Sequence, residues 1–413
     1  MLYRFYRLAI LLSCCLPLVT IGQRVHKSVF IIADGIPADV TERLYLPHIR
    51  AISALGAYKR IHVGGIKGSY SETPTISAPG YNDLLTGTWA NKHNVWDNDI
   101  PDPDYAYYTI FHFVKMAAPQ KKTAIFSTWE DNRTKLVGDR LPATGGFPVD
   151  YHFDGYEKDT LHYPHDTASL YLHHIDERVI RDADSMIRKV GPDLSWVYLE
   201  YTDDVGHATG TGQAFDQAVG YLDQQVGRIW DAIQYRQQHF NEDWQFILTT
   251  DHGRDSINGA EHGGQSERER TTWVVTNTKP LNNYFQTMQP AIVDILPTIA
   301  QYLGIAIPAA SRHELDGISW IGPVSVAMPR VSRQADSLRI TWKALEPGGT
   351  VKILVSISNH FKEGGSDQYI PVAEVPLQDE HYSIPVSALP STMFYKIVIA
   401  GKNNEVNQWY LNR

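Results

Sequence analysis

Between residues 28 and about 325 the chain alternates short apolar runs with amphipathic stretches. Val29-Phe30-Ile31-Ile32-Ala33, Trp196-Val197-Tyr198-Leu199-Glu200 and Trp244-Gln245-Phe246-Ile247-Leu248-Thr249-Thr250 are dense in apolar and β-favouring residues. They read as strands. Helices fall between them. Leu46-Pro47 to Leu55-Gly56 carries proline in its first turn and glycine at its end, the usual punctuation of a helix. Val179, Ile180, Ala183, Met186, Ile187 and Val190 share one helical face, stopped by Gly191-Pro192. Phe215, Val219, Leu222, Val226, Ile229 and Ile233 recur at steps of four and three, as a face packed on a sheet does. Asp294 to Leu303 is a further helix, with Gly304 as its stop. This order predicts an α/β fold in which helices flank a sheet.

Residues 99 to 172 break the alternation. They are rich in Tyr, Asp, His and Pro and weak in periodicity. The stretch reads as an insertion or as long loops over the sheet, a common place for a lid or a substrate wall. After Gly322-Pro323 the pattern changes again. Ser337 to Trp342, Val351 to Ser358, Tyr369 to Val375, His381 to Pro385, Met393 to Ala400 and Val406 to Tyr410 read as strands at short spacing. No helical periodicity intervenes, so a small all-β sandwich is expected at the C-terminus. The chain then divides into a leader over 1–22, an α/β domain over 23–325 and a sandwich over 330–413.

A chain of 413 residues exceeds what one hydrophobic core usually supports, in keeping with two domains. A net charge of −9 argues against a nucleic-acid polymer as partner. Arg4 and Arg7 precede an apolar stretch from Leu8 to Ile21, broken only by Ser13 and Thr20. This reads as a secretory signal peptide, and the stretch is short for a membrane span. An uncleaved anchor and a lipid attached at Cys14 are the alternatives, but the residues after Cys15 stay apolar and favour a continuing signal core. The expected mature chain is periplasmic or secreted, with no membrane span. Both cysteines, Cys14 and Cys15, lie in the leader. Disulfides and thiolate metal sites are therefore not available to the rest of the chain.

Chemistry enters where the strands end. Asp34-Gly35 follows the first run, Asp203 and His207 follow the second, and Asp251-His252 follows the third. His262 stands in Glu261-His262-Gly263-Gly264. In open α/β sheets ligands gather beyond the carboxyl ends of the strands. Singly, each residue has an ordinary explanation. Asp34 could cap a helix, Asp203 and His207 could pair on one helical face, and His262 could be a loop histidine. Together the three Asp and three His suffice to ligate two divalent ions. Ser77, in Thr75-Ile76-Ser77-Ala78-Pro79-Gly80, is a candidate nucleophile.

The whole set resembles the alkaline phosphatase superfamily and, within it, the type I phosphodiesterase/nucleotide pyrophosphatase branch. The matching motifs are Asp34-Gly35, Pro74-Thr75-Ile76-Ser77-Ala78-Pro79 with Leu85-Thr86-Gly87, and His93-Asn94-Val95-Trp96-Asp97-Asn98. Asp203-Asp204-Val205-Gly206-His207, Thr250-Asp251-His252-Gly253, His262-Gly263-Gly264 with Glu269-Arg270, and Asp294-Ile295-Leu296-Pro297-Thr298 complete them. The likeness covers about residues 28 to 320. It implies an alkaline phosphatase-like sheet and two Zn²⁺ ions. Asp203, His207 and His262 would hold one ion, and Asp34, Asp251 and His252 the other. It implies that Ser77 attacks a small-molecule phosphate ester and forms a phospho-serine that is then hydrolysed. It implies that Asn98 binds a non-bridging phosphoryl oxygen; otherwise Asn98 is a turn residue. The segment Leu389 to Gly401 resembles the last strands of fibronectin type III domains, which implies that class for the sandwich.

Two departures bear on the substrate. The branch usually has threonine where Ser77 stands. It also often clamps a nucleobase between two aromatic side chains, and here the first position is Ala78 while the second is Tyr198. Tyr198 is thus the expected substrate wall, and a nucleotide is not implied. A monoesterase of the same superfamily is the first alternative. A sulfatase is the next, through Ser77-Ala78-Pro79-Gly80-Tyr81, although arginine is expected where Tyr81 stands. The non-enzyme alternative is a cell-surface binding protein, suggested by the sandwich alone.

Overall fold

Five strands of the principal sheet run parallel, and those inside it are apolar on both faces. The computed structural model describes residues 24–412, so the expected leader falls outside the described residues. The strands of the principal sheet are β1 (Val25–Ala33), β2 (Ala57–His62), β3 (Thr123–Ser127), β4 (Tyr151–Phe153), β5 (Leu194–Leu199), β6 (Glu242–Thr249) and β7 (Thr271–Thr276). Their order is β2-β7-β6-β1-β5-β3-β4, with β7 antiparallel to both neighbours. Pairing of Ile32 with Tyr198 and with Thr249 sets β1 between β5 and β6. The ends of these three strands are therefore side by side.

Alternation along β1 shows how the sheet divides the core. Val29, Ile31 and Ala33 face one apolar layer, and Phe30 and Ile32 face the other. The first layer is closed by the helices Pro47–Leu55, Leu170–Lys189 and Gln213–His239. The second is closed by the helices Ser77–Thr86, Ile110–Ala117 and Ile295–Leu303. The helical faces expected around 47–55, 179–190 and 215–233 are all present. The second of these helices starts earlier, at Leu170, so the irregular segment is shorter than expected. That segment also supplies β3, whose five residues are fully buried in the sheet beside β5. It is not merely an insertion over the sheet.

The C-terminal region consists of β8 (Val326–Gln334), β9 (Ser337–Ala344), β10 (Thr350–Ser356), β11 (Ile370–Pro376), β12 (His381–Pro385), β13 (Phe394–Ala400) and β14 (Glu405–Leu411). They form two antiparallel sheets, β11-β10-β13-β14 and β12-β9-β8. The Tyr395 hydroxyl donates to the Pro390 carbonyl at 2.8 Å, the corner device of many sandwiches. Leu338, Ile340, Trp342, Val351 and Ile353 join the same apolar layer as Phe30 and Ile32. The junction also carries charge. Lys92 donates to the Glu314 carbonyl, Asp316 and Asn407 at 2.6, 2.7 and 2.8 Å. Lys396 donates to Glu314 and Asp367 at 2.6 and 2.7 Å. Among the described residues no helix is long and apolar enough to cross a membrane.

Candidate active site

The sheet order brings the expected ligands together. Asp34 leaves the end of β1, flanked by the ends of β5 and β6. After β5 the chain enters the helix Tyr201–Thr209, which carries Asp203 and His207 one turn apart. After β6 come Asp251 and His252, both fully buried. Asp203, His207 and His262 offer donor atoms within 4.8 Å of one another, and so do Asp34, Asp203 and His252. Within the first group the His207 and His262 Nε2 atoms are 3.0 Å apart, and His207 Nε2 is 3.2 Å from Asp203. Within the second, His252 Nε2 lies 3.3 Å from Asp34 Oδ1, and Asp251, which belongs to neither group, brings its Oδ2 to 3.3 Å from the same nitrogen.

Those last three atoms are buried and make no hydrogen bond. A buried polar atom without a partner is costly, and three of them converging on one place call for a cation. The histidines are turned to suit one. His252 Nδ1 donates to the Gly253 carbonyl and His262 Nδ1 to the Thr75 carbonyl, both at 2.9 Å. That orients each ring so that its Nε2 faces the other candidate ligand atoms.

The protons of the cluster follow its charges. Burial raises Asp251 well above the carboxylate range, and Asp34 beside it adds to the rise. Burial opposes charge on His252, yet Asp251 and Asp34 outweigh it and push the imidazole up to about 9. Burial and the neighbouring His252 push His262 down to about 4. Burial would raise Asp203, but the His207 hydrogen bond and the Arg254 charge hold it below the usual range.

Ser77 is the first residue of the helix Ser77–Thr86 and is 6% exposed. Its chain neighbours on either side touch the two ligand groups. Thr75, two residues before, accepts from His262. Tyr81, one turn after, donates its hydroxyl to Asp34. Gly80 lets the helix close on Asp251, since a Cβ there would lie 2.9 Å from the Asp251 carbonyl oxygen. Asn98 lies at the same point: its Oδ1 accepts from Ala78 N–H at 2.9 Å. Its amide nitrogen has no hydrogen bond among the described residues.

Tyr198 does not occupy the substrate wall expected of it. It is 2% exposed, and its hydroxyl donates to Asp34 Oδ2 at 2.7 Å. Its ring packs against Tyr81 with centroids 4.9 Å apart. The pleat is the reason. Trp196 and Tyr198 point into the layer behind the sheet, and only the phenolic tip reaches the site. Tyr198 and Tyr81 together hold Asp34.

Sequence reasoning also passed over Thr202, Tyr81 and Arg254. The Thr202 hydroxyl donates to the Asp34 carbonyl at 2.6 Å. Arg254, fully buried, pairs with the Asp203 carboxylate. Arginine directly after Asp251-His252-Gly253 was the one available signal, since a charge in an otherwise buried run needs a partner.

A helix-flanked mixed sheet thus carries a cluster of carboxylates and imidazoles where its strands end. The family model described as type I phosphodiesterase / nucleotide pyrophosphatase matches residues 28–305, and the chain belongs to that family. Its members are hydrolases of phosphate esters. The chain is 30% identical over 122 residues to a 2,3-bisphosphoglycerate-independent phosphoglycerate mutase of Mesoplasma florum, covering 30% of this chain and 22% of that one. The chain thus spans about a fifth of that relative's length. The structure of Ps i-CgsB in complex with k-i-k-neocarrahexaose is similar with a TM-score of 0.51 and 14% identity, over 78% of this chain and 82% of that one. It supports the fold. A protein of the alkaline phosphatase superfamily from Vibrio parahaemolyticus aligns with a TM-score of 0.48 and 13% identity, over 78% of each chain.

Proposed function

We propose that this chain is an exported two-zinc phosphodiesterase that works through a covalent phospho-Ser77 intermediate. The observation that carries the metal reading is the convergence of three unpartnered buried atoms, Asp34 Oδ1, Asp251 Oδ2 and His252 Nε2. Asp203, His207 and His262 would hold the first ion, and Asp34, Asp251 and His252 the second. Three imidazoles among the donors suit zinc better than calcium, which prefers oxygen. When bound, the two ions supply Lewis-acid stabilisation of charge on the oxygens that enter and leave phosphorus.

The chain's own groups do the rest. Ser77 presents its Oγ from the head of a helix whose first turn is fastened to Asp34 and Asp251. Attack forms the Oγ–P bond and expels the alcohol; water later cleaves that bond and restores the serine. Asn98, its Oδ1 tied to Ala78, turns its N–H donors towards a phosphoryl oxygen. An amide carries no charge, which suits the single charge of a diester. A monoester has two. The Tyr81 hydroxyl is engaged with Asp34, so the position where the sulfatase reading wants arginine serves the metal site. Export rests on the basic-then-apolar leader.

The test is kcat/KM for bis(4-nitrophenyl) phosphate against 4-nitrophenyl phosphate at one zinc concentration, with metal analysis of the same protein. Two zinc per chain and a diester preference are expected. A monoester preference above about tenfold, roughly 1.4 kcal/mol in the transition state, would leave only the superfamily. One calcium in place of two zinc would favour the sulfatase alternative.

A further inference from the structure

We infer that Arg254 is the positioning residue that assembles the ligand set before any metal arrives. The inference rests on the two-metal reading above. A guanidinium has five N–H donors in a fixed planar fork, and here they spread over the whole site. Nε donates to the Gly35 carbonyl at 2.9 Å. Nη1 donates to the Ala260 carbonyl at 2.9 Å and the Gly259 carbonyl at 3.4 Å. Nη2 donates to the Asp203 carbonyl at 2.6 Å and to the Asp203 carboxylate. Gly35 directly follows Asp34. Asp203 is itself a proposed ligand, with His207 one turn on. Ala260 lies two residues before His262, and Arg254 two residues after His252. One side chain therefore clasps all four segments that bear ligands.

Charge and space support the same role. Asp34, Asp203 and Asp251 crowd three carboxyl groups together, and Arg254 brings a permanent positive charge among them. It is fully buried, so it acts through the ligands and not on substrate. The fold clears room for it. Gly206 lies inside the helix Tyr201–Thr209, where glycine is a poor choice for the helix itself. A Cβ at Gly206 would overlap the guanidinium, and one at Gly35 would lie 2.9 Å from Arg254 Nη2. Lysine could not substitute, since a single ammonium cannot span carbonyls on three sides.

The experiment compares the full chain with Arg254→Met, Arg254→Lys and Gly206→Ala. Each is dialysed against buffered free zinc and analysed for metal, with circular dichroism and thermal melts of the metal-free protein. The parent is expected to bind two zinc per chain. Arg254→Met and Gly206→Ala should need at least about tenfold more free zinc to fill the Asp203, His207 and His262 site, in line with losses of outer-sphere partners. Arg254→Lys should recover only part of that loss. At saturating zinc, turnover of the folded variants should return towards the parent's with KM unchanged, a rescue that general misfolding would not allow. Gly206→Ala separates the two causes, because alanine favours the helix and would by that effect alone leave zinc affinity untouched. Folded variants with the parent's zinc affinity overturn the inference. If Arg254→Met does not fold, Gly206→Ala and Arg254→Lys decide by the same criterion. A parent that binds no zinc refutes the two-metal reading instead.

Discussion

His93 is held neutral by the fold. Burial pushes it down to about 3. Its Nδ1 accepts from Val95 N–H at 3.1 Å, and its Nε2 lies 2.9 Å from Asp83. An unfolded histidine titrates near 6.5. Between pH 6.5 and 3 the unfolded chain therefore binds a proton that the folded chain refuses. Stability from His93 is complete above 6.5 and is lost as pH falls through that window, by a few kcal/mol in order of magnitude. Urea unfolding of the parent and of His93→Gln at steps from pH 7 to 4 should show the parent's advantage shrinking with acid. An advantage independent of pH would sink this account. A second prediction concerns Ser77→Ala. It should keep both metals and lose turnover by at least about 10³-fold, because the attacking atom is gone. Activity near the parent's would mean that water attacks directly. At this scale the gathering of acids and imidazoles was legible, since each follows or lies near the end of an apolar run and the runs are neighbouring strands. Arg254 and Tyr81 were not. A single arginine or tyrosine gives no sign of its partner until the sheet order brings Asp203 and Asp34 beside it.

The helix Ser77–Thr86 is the element on which the proposed chemistry turns. Every one of its ten residues is buried, so its position is set by packing on all sides. Gly80 marks the tightest approach. Gly80→Ala should favour the helix by about 1 kcal/mol from propensity alone. Its new Cβ would still meet the Asp251 carbonyl at 2.9 Å and the Asp251 side chain at 3.0 Å. The expected result is a melting temperature within a few degrees of the parent's and kcat/KM down at least about tenfold, since small misplacements of reacting groups are costly. Unchanged kcat/KM would show that this approach does not position Ser77. Elements with long periodic faces were legible in sequence, such as 213–239. β3 was not, because Thr123-Ala124-Ile125-Phe126-Ser127 is short and its order comes from pairing with β5. β8 was missed for a related reason: only Val326 and Ala327 of its nine residues are buried, so it shows little alternation.

On the scale of the whole molecule, the composition break at Gly322-Pro323 is real in sequence but is not an energetic break. The apolar layer behind the principal sheet continues through Val324 and Val326 into Leu338, Ile340 and Val351. Lys92 and Lys396 are 0% and 1% exposed in their side chains, and each depends on acids or amides near the junction. Removing one partner of such a buried pair costs about 3–5 kcal/mol. A chain cut after Val324 would strip Asn407 from Lys92 and Lys396 from Glu314, and would bare the apolar layer. It should melt well below the full chain and aggregate at micromolar concentration, by light scattering. A monodisperse fragment with the parent's melting temperature would show that the junction contributes little. Sequence could not reveal this, because contacts between residues so far apart leave no local pattern.

Trp409 sums up what that junction demands. Its ring lies 5.4 Å from Lys92 Nζ and 5.2 Å from Lys396 Nζ, and it stacks on Tyr70 at 5.5 Å. These partners are scattered from residue 70 to residue 396, yet each is right only if the others are present. A C-terminal region recombined from a relative would arrive with an indole or a lysine fitted to a different neighbour. Its sheets could fold as before and still dock badly. The two halves are therefore bound to be inherited together, and changes at Tyr70, Lys92 or Glu314 should be tolerated across generations only when β13 and β14 change with them.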